Sequence, residues 1–445
     1  RGTWSRKYAP QSEILDYIRH CVRKYGIARH LRCGTEVRAA CHDTRTGGWT
    51  LEIGGASDEH FDYLVSACGQ LRIPRIPALP GHGSFQGTSF HSAEWDHRHD
   101  LKGKHVAVIG TGASALQLVP QVAKQAASLQ VFQRSPAWIF ARSDRPYSRR
   151  AQRLLARGPL QRPYRYSMFW SLEARMLGFL QGSRLGTLFE RGASMHLQRQ
   201  LGEPGDQRAH TPDYPIGCKR VLLSDDYYPA FERPNVELVT SGVARLEPDA
   251  ILRADGTRAR VDTIIYATGF ESEAFMAPLR IEGRGGRTLE QRWKEGAEAH
   301  LGLTVPGFPN FFMLFGPNTN LGHNSVIFMA ECQVQYVLRC IEHARDNSLR
   351  SMDIKPEAMR RSNSRLLRAM QRTNWVAGCE NWYTNDAGKV INNWPLFASQ
   401  YWLATRRPDF RDFRASPAAR PARPEAGEGV RSASARTLLR APRPG

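Results

Sequence analysis

The chain has 445 residues, 41% of them apolar, and a formal net charge of +20 from 62 Lys and Arg against 42 Asp and Glu. That length gives two or three domains with ample core, and the polar mean hydropathy is that of a soluble globular chain. The excess charge is scattered Arg without zinc-finger spacing or an aromatic–basic strip, which argues against nucleic acid; a phosphorylated cofactor and an Arg-rich tail account for it better.

The longest uncharged stretch, residues 301–330, is broken by Pro306, Pro309 and Pro317 and is not a spanning helix. Neither an apolar leader nor an initial Met opens the chain, so the expectation is a cytoplasmic protein with no signal peptide and no membrane association. Eight cysteines, Cys21, Cys33, Cys41, Cys68, Cys218, Cys332, Cys340 and Cys379, are dispersed without a C-x-x-C pair. Reduced thiols are expected, with neither a redox-active disulfide nor a metal site.

In chain order, residues 4–10 are an irregular lead-in and 11–25 a helix, with Ile14, Ile18, Cys21 and Tyr25 at helical spacing. A β region runs through Val37 and residues 49–53, with a turn at 46–48. Residues 61–67 form another strand, ending in Ala67-Cys68-Gly69. Pro74, Pro77 and Pro80 mark an extended connector, and residues 85–96 lead into the stretch around which the chain is organised.

That stretch, residues 104–134, reads as strand, tight turn, helix, strand. An apolar run at 105–109 precedes Gly110-Thr111-Gly112-Ala113-Ser114-Ala115. An amphipathic segment with Leu116, Val119, Val122 and Ala126 follows, then a second apolar run at 129–132. The turn fits G-x-G-x-x-G/A in the context that gives the pattern meaning. Gly110 permits the turn, Gly112 lets the backbone approach a pyrophosphate, and small Ala115 lets the helix pack close to the strand. The helix N-terminus then offers free N–H groups and a positive dipole end to phosphate. At the end of the second strand, where an NAD site carries Asp or Glu for the ribose 2′-OH, stand Gln133-Arg134-Ser135. Arg in that place pairs with a 2′-phosphate, so the expected cofactor is NADP.

Residues 136–148 read as an aromatic-rich loop and 149–199 as a helical insertion, rich in Arg and Leu and poor in β-branched residues. Residues 211–228 are a loop carrying Lys219-Arg220. Short strands follow at 236–240 and 251–252, and 261–269 is a strand ending in a glycine turn. Residues 311–315 are a buried strand running into Gly316-Pro317-Asn318. Residues 326–344 and 356–371 are helices, and 414–445 are expected to be disordered. The triplets Ala67-Cys68-Gly69 and Ala267-Thr268-Gly269 flank the nucleotide unit and point to an enzyme with two nucleotide sites.

Phe85-Gln86-Gly87-Thr88-Ser89-Phe90-His91-Ser92-Ala93-Glu94-Trp95-Asp96 fits F-x-G-x-x-x-H-x-x-x-W-[P/D] and resembles the fingerprint of Baeyer–Villiger monooxygenases. The likeness continues in Val131-Phe132-Gln133-Arg134-Ser135-Pro136 and Tyr214-Pro215-Ile216-Gly217-Cys218-Lys219-Arg220. It goes on in Tyr266-Ala267-Thr268-Gly269-Phe270, Gly316-Pro317-Asn318-Thr319-Asn320 and Cys379-Glu380-Asn381-Trp382-Tyr383, covering residues 4–410. The resemblance implies an α/β fold of two dinucleotide-binding, Rossmann-like domains, with the insertion in the NADP domain. It implies that NADPH reduces FAD and that the reduced flavin captures O₂ as a C4a-peroxide. The peroxide then attacks a small-molecule ketone to give an ester or lactone. By the same resemblance Arg220 supplies the fixed positive charge such an anion needs. Lys219, Arg134 and Ser135 would hold the 2′-phosphate, Trp382 would contact the nicotinamide nucleotide, and Gln70 would lie near the flavin. His91 and Trp95 would serve domain linkage and coupling.

Two departures accompany the match. The strand–GxGxxG–helix that binds FAD in this family, and the following segment with a catalytic Asp, are not in the sequence. By comparison with the family on the order of 80 to 90 residues are absent, so the FAD domain is expected to be incomplete at its N-terminus. In Asn393-Trp394-Pro395-Leu396, Gly more often follows the Pro. The expected division is 1–80 remaining FAD domain, 81–148 NADP domain first part, 149–210 helical insertion, 211–270 NADP domain second part, 271–413 FAD domain C-terminal part, and 414–445 basic tail. Two other readings stay open: a monooxygenase oxidising N or S, against which Trp95-Asp96 and Arg220 speak, and an NADP(H)-binding fragment without chemistry. The sequence carries no readable code for the ketone or for the oligomeric state.

Overall fold

The apolar runs around the glycine turn line up as one five-stranded parallel sheet in the computed structural model, which describes residues 4–54, 58–379, 381–385 and 387–417. The order is Val236–Val239, Ser128–Phe132, His105–Ile109, Thr263–Tyr266 and Thr88–His91. Parallel strands covered on both faces read as continuous apolar runs. Val106, Ala107, Val108, Leu129, Val131, Ile264 and Ile265 are accordingly all buried. The turn feeds helix Ala113–Val122, whose Leu116, Val119 and Val122 pack with Leu129, Val131 and Ile265. The opposite face, with Ala107, Ile264 and Tyr266, is covered by Leu246 and Ile251. Those two belong to an antiparallel meander, Val243–Glu247, Ala250–Arg253 and Arg258–Arg260.

The insertion folds as the helices Arg149–Leu155, Gly158–Ala174 and Arg184–Gln200. Ser148 and Ser183 cap the first and third, their hydroxyls accepting from the Ala151 and Gly186 amides. Leu197 joins the core of the nucleotide sheet, whereas Met176, Phe179 and Ala193 join a second core with Ile216, Trp375, Tyr383 and Tyr401. The insertion therefore bridges two cores.

Its strongest polar anchor is Glu173. The buried carboxylate accepts from the Ala398 amide (2.9 Å), the Ser399 amide (3.0 Å), Asn324 Nδ2 (3.0 Å) and His323 Nε2 (3.4 Å). It thus caps helix Ala398–Thr405, where its charge meets the positive dipole end. Burial by itself raises the Glu173 carboxyl, but the bonds from His323, Ser399 and Asn324 outweigh it and hold the group at about 2. Because this lies below the ordinary 4.5, the ionised carboxylate stabilises the fold fully above that pH. The contribution is lost as pH falls from there toward 2 and is on the order of 3 kcal/mol. In Glu173→Gln the urea midpoint should drop at neutral pH and then fall less steeply than the parent's on acidification. Parallel acid limbs would contradict this role.

The second domain holds a four-stranded sheet, Arg280–Glu282, Val37–His42, Trp49–Ile53 and Glu59–Phe61, and a separate parallel pair, Phe311–Met313 with Leu64–Ser66. The single strand expected at 61–67 is thus two strands in different sheets. Asn310 fixes the break. Its side-chain amide donates to the carbonyls of Asp62 (3.0 Å), Arg350 (3.0 Å) and Gly47 (3.3 Å), and its carbonyl oxygen accepts from the Met352 amide (2.9 Å). Its backbone oxygen takes the Leu64 amide at 3.0 Å. Asn tolerates the left-handed φ of 55° that this position requires.

Helix Gln11–Lys24 forms where its spacing places it, yet none of its residues is buried. The loop expected at 211–228 contains strand Leu222–Leu223, paired with Ile139–Phe140, and the start of helix Tyr227–Phe231. The disorder expected from residue 414 is overturned for 414–417. Phe413–Pro417 pairs with Leu349–Ile354, anchored by buried Phe413 against Met352 and Ile354. The rest of that tail, 418–445, lies outside the described residues. Among the described residues no helix is long and apolar enough to cross a membrane.

Candidate dinucleotide and catalytic site

Gly110 sits where only glycine fits. Its φ is +107°, and a Cβ there would lie 2.5 Å from the Ala267 carbonyl oxygen. The Gly110 amide donates to Phe132 O (3.0 Å) and the Ala267 amide to Ile109 O (2.9 Å), so the turn is wedged between neighbouring strand ends. Gly112 is the opposite case: it is extended, and a Cβ would meet nothing within 4 Å. That open space lies before the N-terminus of helix Ala113–Val122, whose first amides have no intrahelical acceptor. It is a cradle for a phosphate group, and the residues present fit a dinucleotide.

Ser135 and Lys219 are brought to the mouth of this cradle. Thr111 Oγ1 donates to the Ser135 carbonyl at 3.1 Å, and Lys219 Nζ donates to Ser135 Oγ at 2.6 Å. The Lys219 ammonium also lies 4.8 Å from the centre of the Tyr214 ring, a cation–π contact. The ring is fixed in turn: Tyr214 OH donates to Pro136 O (2.6 Å), and Trp138 Nε1 donates to Tyr214 O (2.9 Å). Arg134 is exposed beside them. Gln133 is turned inward, its amide donating to Ala209 O at 2.7 Å.

Tyr383, next to Trp382 in the chain, lies within electrostatic reach of Arg220. Burial raises the Tyr383 phenol well above its ordinary value, and the nearby Arg220 guanidinium opposes the shift. The Trp382 and Tyr383 rings are 4.7 Å apart. The Trp382 carbonyl accepts from Asn392 Nδ2 (2.7 Å) and Ser272 Oγ (3.0 Å), which lays this segment against the chain leaving strand Thr263–Tyr266. Asn318 Nδ2 donates to Val390 O (2.9 Å), and Asn320 Nδ2 to Asn393 Oδ1 (2.7 Å). The loop at 316–320 and the segment around Asn393-Trp394 are therefore one hydrogen-bonded unit.

The cysteines correct the expectation of reduced thiols. Cys218 and Cys379 form a disulfide, with Cα atoms 6.3 Å apart and a sequence separation of 161. Such a pair leaves no C-x-x-C signature because folding, not spacing, brings it together.

Gln70 follows strand Leu64–Ser66 in the other domain. It is buried, and its amide nitrogen has no protein partner; the same is true of Asn392 Oδ1. Buried polar atoms of this kind carry a desolvation cost that a polar ligand removes, and the donor of Gln70 fits an acceptor atom of a flavin. His91 Nδ1 accepts from the Ala93 amide (3.1 Å), its ring meets Phe270 edge-on, and burial lowers its pKa. Trp95 packs edge-on against Phe90. His91 ends the edge strand, level with Tyr266 and Ile109, and Trp95 follows it in the chain. Sequence reasoning missed Tyr214, Ser272 and Asn392; only Tyr214 lay inside a recognised motif, five residues before Lys219.

A flavin-binding monooxygenase-like family model matches residues 5–158. A Baeyer–Villiger monooxygenase of Pseudomonas aeruginosa is 39% identical over 409 residues, 91% of this chain and 78% of that protein. One of Streptomyces coelicolor is 38% identical over 416 residues, covering 92% and 80% of the two chains. The crystal structure of OTEMO in complex with FAD and NADP superposes with a TM-score of 0.83 over 93% of this chain and 86% of its own, at 26% identity. Fold and site define a flavoprotein monooxygenase with nucleotide-binding α/β domains. More narrowly, the chain belongs to the Baeyer–Villiger monooxygenase family.

Proposed function

We propose that the chain is an NADPH- and FAD-dependent monooxygenase that inserts one oxygen atom of O₂ into a ketone, giving an ester or lactone. The observation that carries this reading is the junction at Lys219-Arg220. Lys219 closes on Ser135 beside the phosphate cradle, while Arg220 follows Cys218, which the disulfide ties to Cys379 on the segment of Trp382 and Tyr383, and its charge acts on Tyr383. Two adjacent cations therefore serve two different neighbourhoods.

Gly110 to Ala115 would bind the NADP pyrophosphate at the helix N-terminus. Arg134, Ser135 and Lys219 would hold the 2′-phosphate, and Trp382 would cover the nicotinamide end. Gln70 would hydrogen-bond FAD, which when bound and reduced supplies the activation of O₂. Arg220 would place a fixed cation where negative charge develops during transfer to the ketone, a role suited to a planar guanidinium. The inward Gln133 would hold the strand end in place so that Arg134 projects outward.

The cofactor assignment is tested by Arg134→Ala. Loss of a charge-assisted contact to phosphate should weaken NADP⁺ by about tenfold to a hundredfold and leave NAD⁺ nearly unchanged in calorimetric titration. Equal losses for both nucleotides would remove the 2′-phosphate contact from the reading.

A further inference from the structure

The disulfide joins two segments that the proposed site needs together. Cys218 immediately precedes Lys219 and Arg220, and Cys379 lies three residues before Trp382. Around Cys379 the remaining bonds are local. Asn381 Nδ2 donates to Cys379 O (3.2 Å), and Asn381 Oδ1 accepts from the Tyr383 amide (2.9 Å) and Thr384 Oγ1 (3.0 Å). Across to the Cys218 side, Asn374 Nδ2 donates to Ile216 O at 2.8 Å. The sulfur bridge is the covalent tie between the loop bearing both cations and the loop bearing Trp382. The two residues differ in exposure: Cys218 is fully buried, and Cys379 is half-buried.

We propose that Cys218–Cys379 is a reversible redox strap that holds the nicotinamide-nucleotide site in its binding geometry and is opened by a dithiol reductant. This rests on the NADP reading of the same site. A reductant thiolate attacks the sulfur of Cys379, the less buried residue of the pair, forming a mixed disulfide there as the Cys218–Cys379 bond breaks. Cys218 leaves as thiolate within the apolar core it shares with Ile216 and Trp375 and is protonated on release. The second thiol of the reductant then displaces Cys379, and protons from solvent complete two protein thiols. Two electrons pass to the protein, and the reductant is left as a disulfide. With the strap open, the Trp382 loop is no longer tied to Lys219-Arg220. Nucleotide binding must then supply an ordering that the oxidised protein already has.

The test compares the FAD-loaded protein before and after treatment with dithiothreitol. Each state is checked by alkylation and peptide mass spectrometry and titrated with NADP⁺ by calorimetry. The oxidised state should show the Cys218–Cys379 cross-linked peptide, and reduction should weaken NADP⁺ by about tenfold, within the usual range of coupling between sites. Cys379→Ser should bind like the reduced parent in both conditions, whereas Cys33→Ser, at an exposed cysteine elsewhere, should respond like the parent. Free Cys218 and Cys379 in the untreated protein, or equal NADP⁺ affinity in both states, would overturn the strap and leave the site reading standing. Absence of NADP⁺ binding in either state would overturn the site reading and the strap with it.

Discussion

Arg220→Ala should still bind NADPH and oxidise it, yet form ester from ketone about a hundred- to a thousandfold more slowly than the parent. The size follows from removing one preorganised positive group from the place where anionic charge develops. The side chain is exposed, so folding stability should stay within about 0.5 kcal/mol. Neighbouring Lys219 keeps its bond to Ser135, so NADP⁺ affinity should change little. The measurement is the ratio of ester formed to NADPH consumed. It should collapse in Arg220→Ala and recover partly in Arg220→Lys, which keeps the charge without the planar fork. Ester formation at the parental rate would show that Arg220 takes no part in the chemistry.

The second large effect is expected at the glycine turn, where two neighbouring substitutions should separate folding from binding. In Gly110→Ala the new methyl meets the Ala267 carbonyl oxygen at 2.5 Å, on a backbone whose φ of +107° already disfavours any side chain. Both faults strain the central strands, and the cost should be roughly 2 to 5 kcal/mol, read as a lower urea midpoint. In Gly112→Ala the methyl enters open space on an extended backbone. Stability should then be nearly parental while NADP⁺ affinity falls more than about tenfold, because the methyl occupies the room a phosphate needs. Parental NADP⁺ affinity in Gly112→Ala would place the pyrophosphate elsewhere.

The same contrast explains what was legible in the sequence. Strand, turn and helix at 104–134 are specified by residues close together in the chain, and each glycine has a local geometric reason. The meander was read only in part because strand Val243–Glu247 buries little more than Leu246, so its alternation is faint. Phe413–Pro417 is polar apart from its anchoring Phe, and composition alone assigns it to a tail. The break within 61–67 depends on Asn310, 248 residues away from the Asp62 carbonyl it binds. Glu173 meets Ala398 across 225 residues, and the cysteine pair closes across 161. None of these contacts has a spacing rule. The Glu173 contact and the cysteine pair arise because the insertion and the loops around Trp382 fold onto one shared core.

The site shows the same division. Gly110, Gly112 and Arg134 could be read from pattern alone. The contact of Lys219 with Tyr214 and the reach of the Arg220 charge to Tyr383 emerge only from three dimensions. The family likeness supplied candidates for these positions, and the geometry supplies the physical reason to test them.

The central claim is that this protein transfers one oxygen atom of O₂ to a ketone at the expense of NADPH. It is tested most directly by turnover of the FAD-loaded protein under isotopically labelled dioxygen, with a panel of linear, cyclic and aryl ketones and one thioether. The account predicts an ester or lactone carrying a single labelled oxygen, formed in proportion to NADPH consumed. NADPH oxidation that yields only hydrogen peroxide, or a labelled sulfoxide with no ester from any ketone, would contradict it.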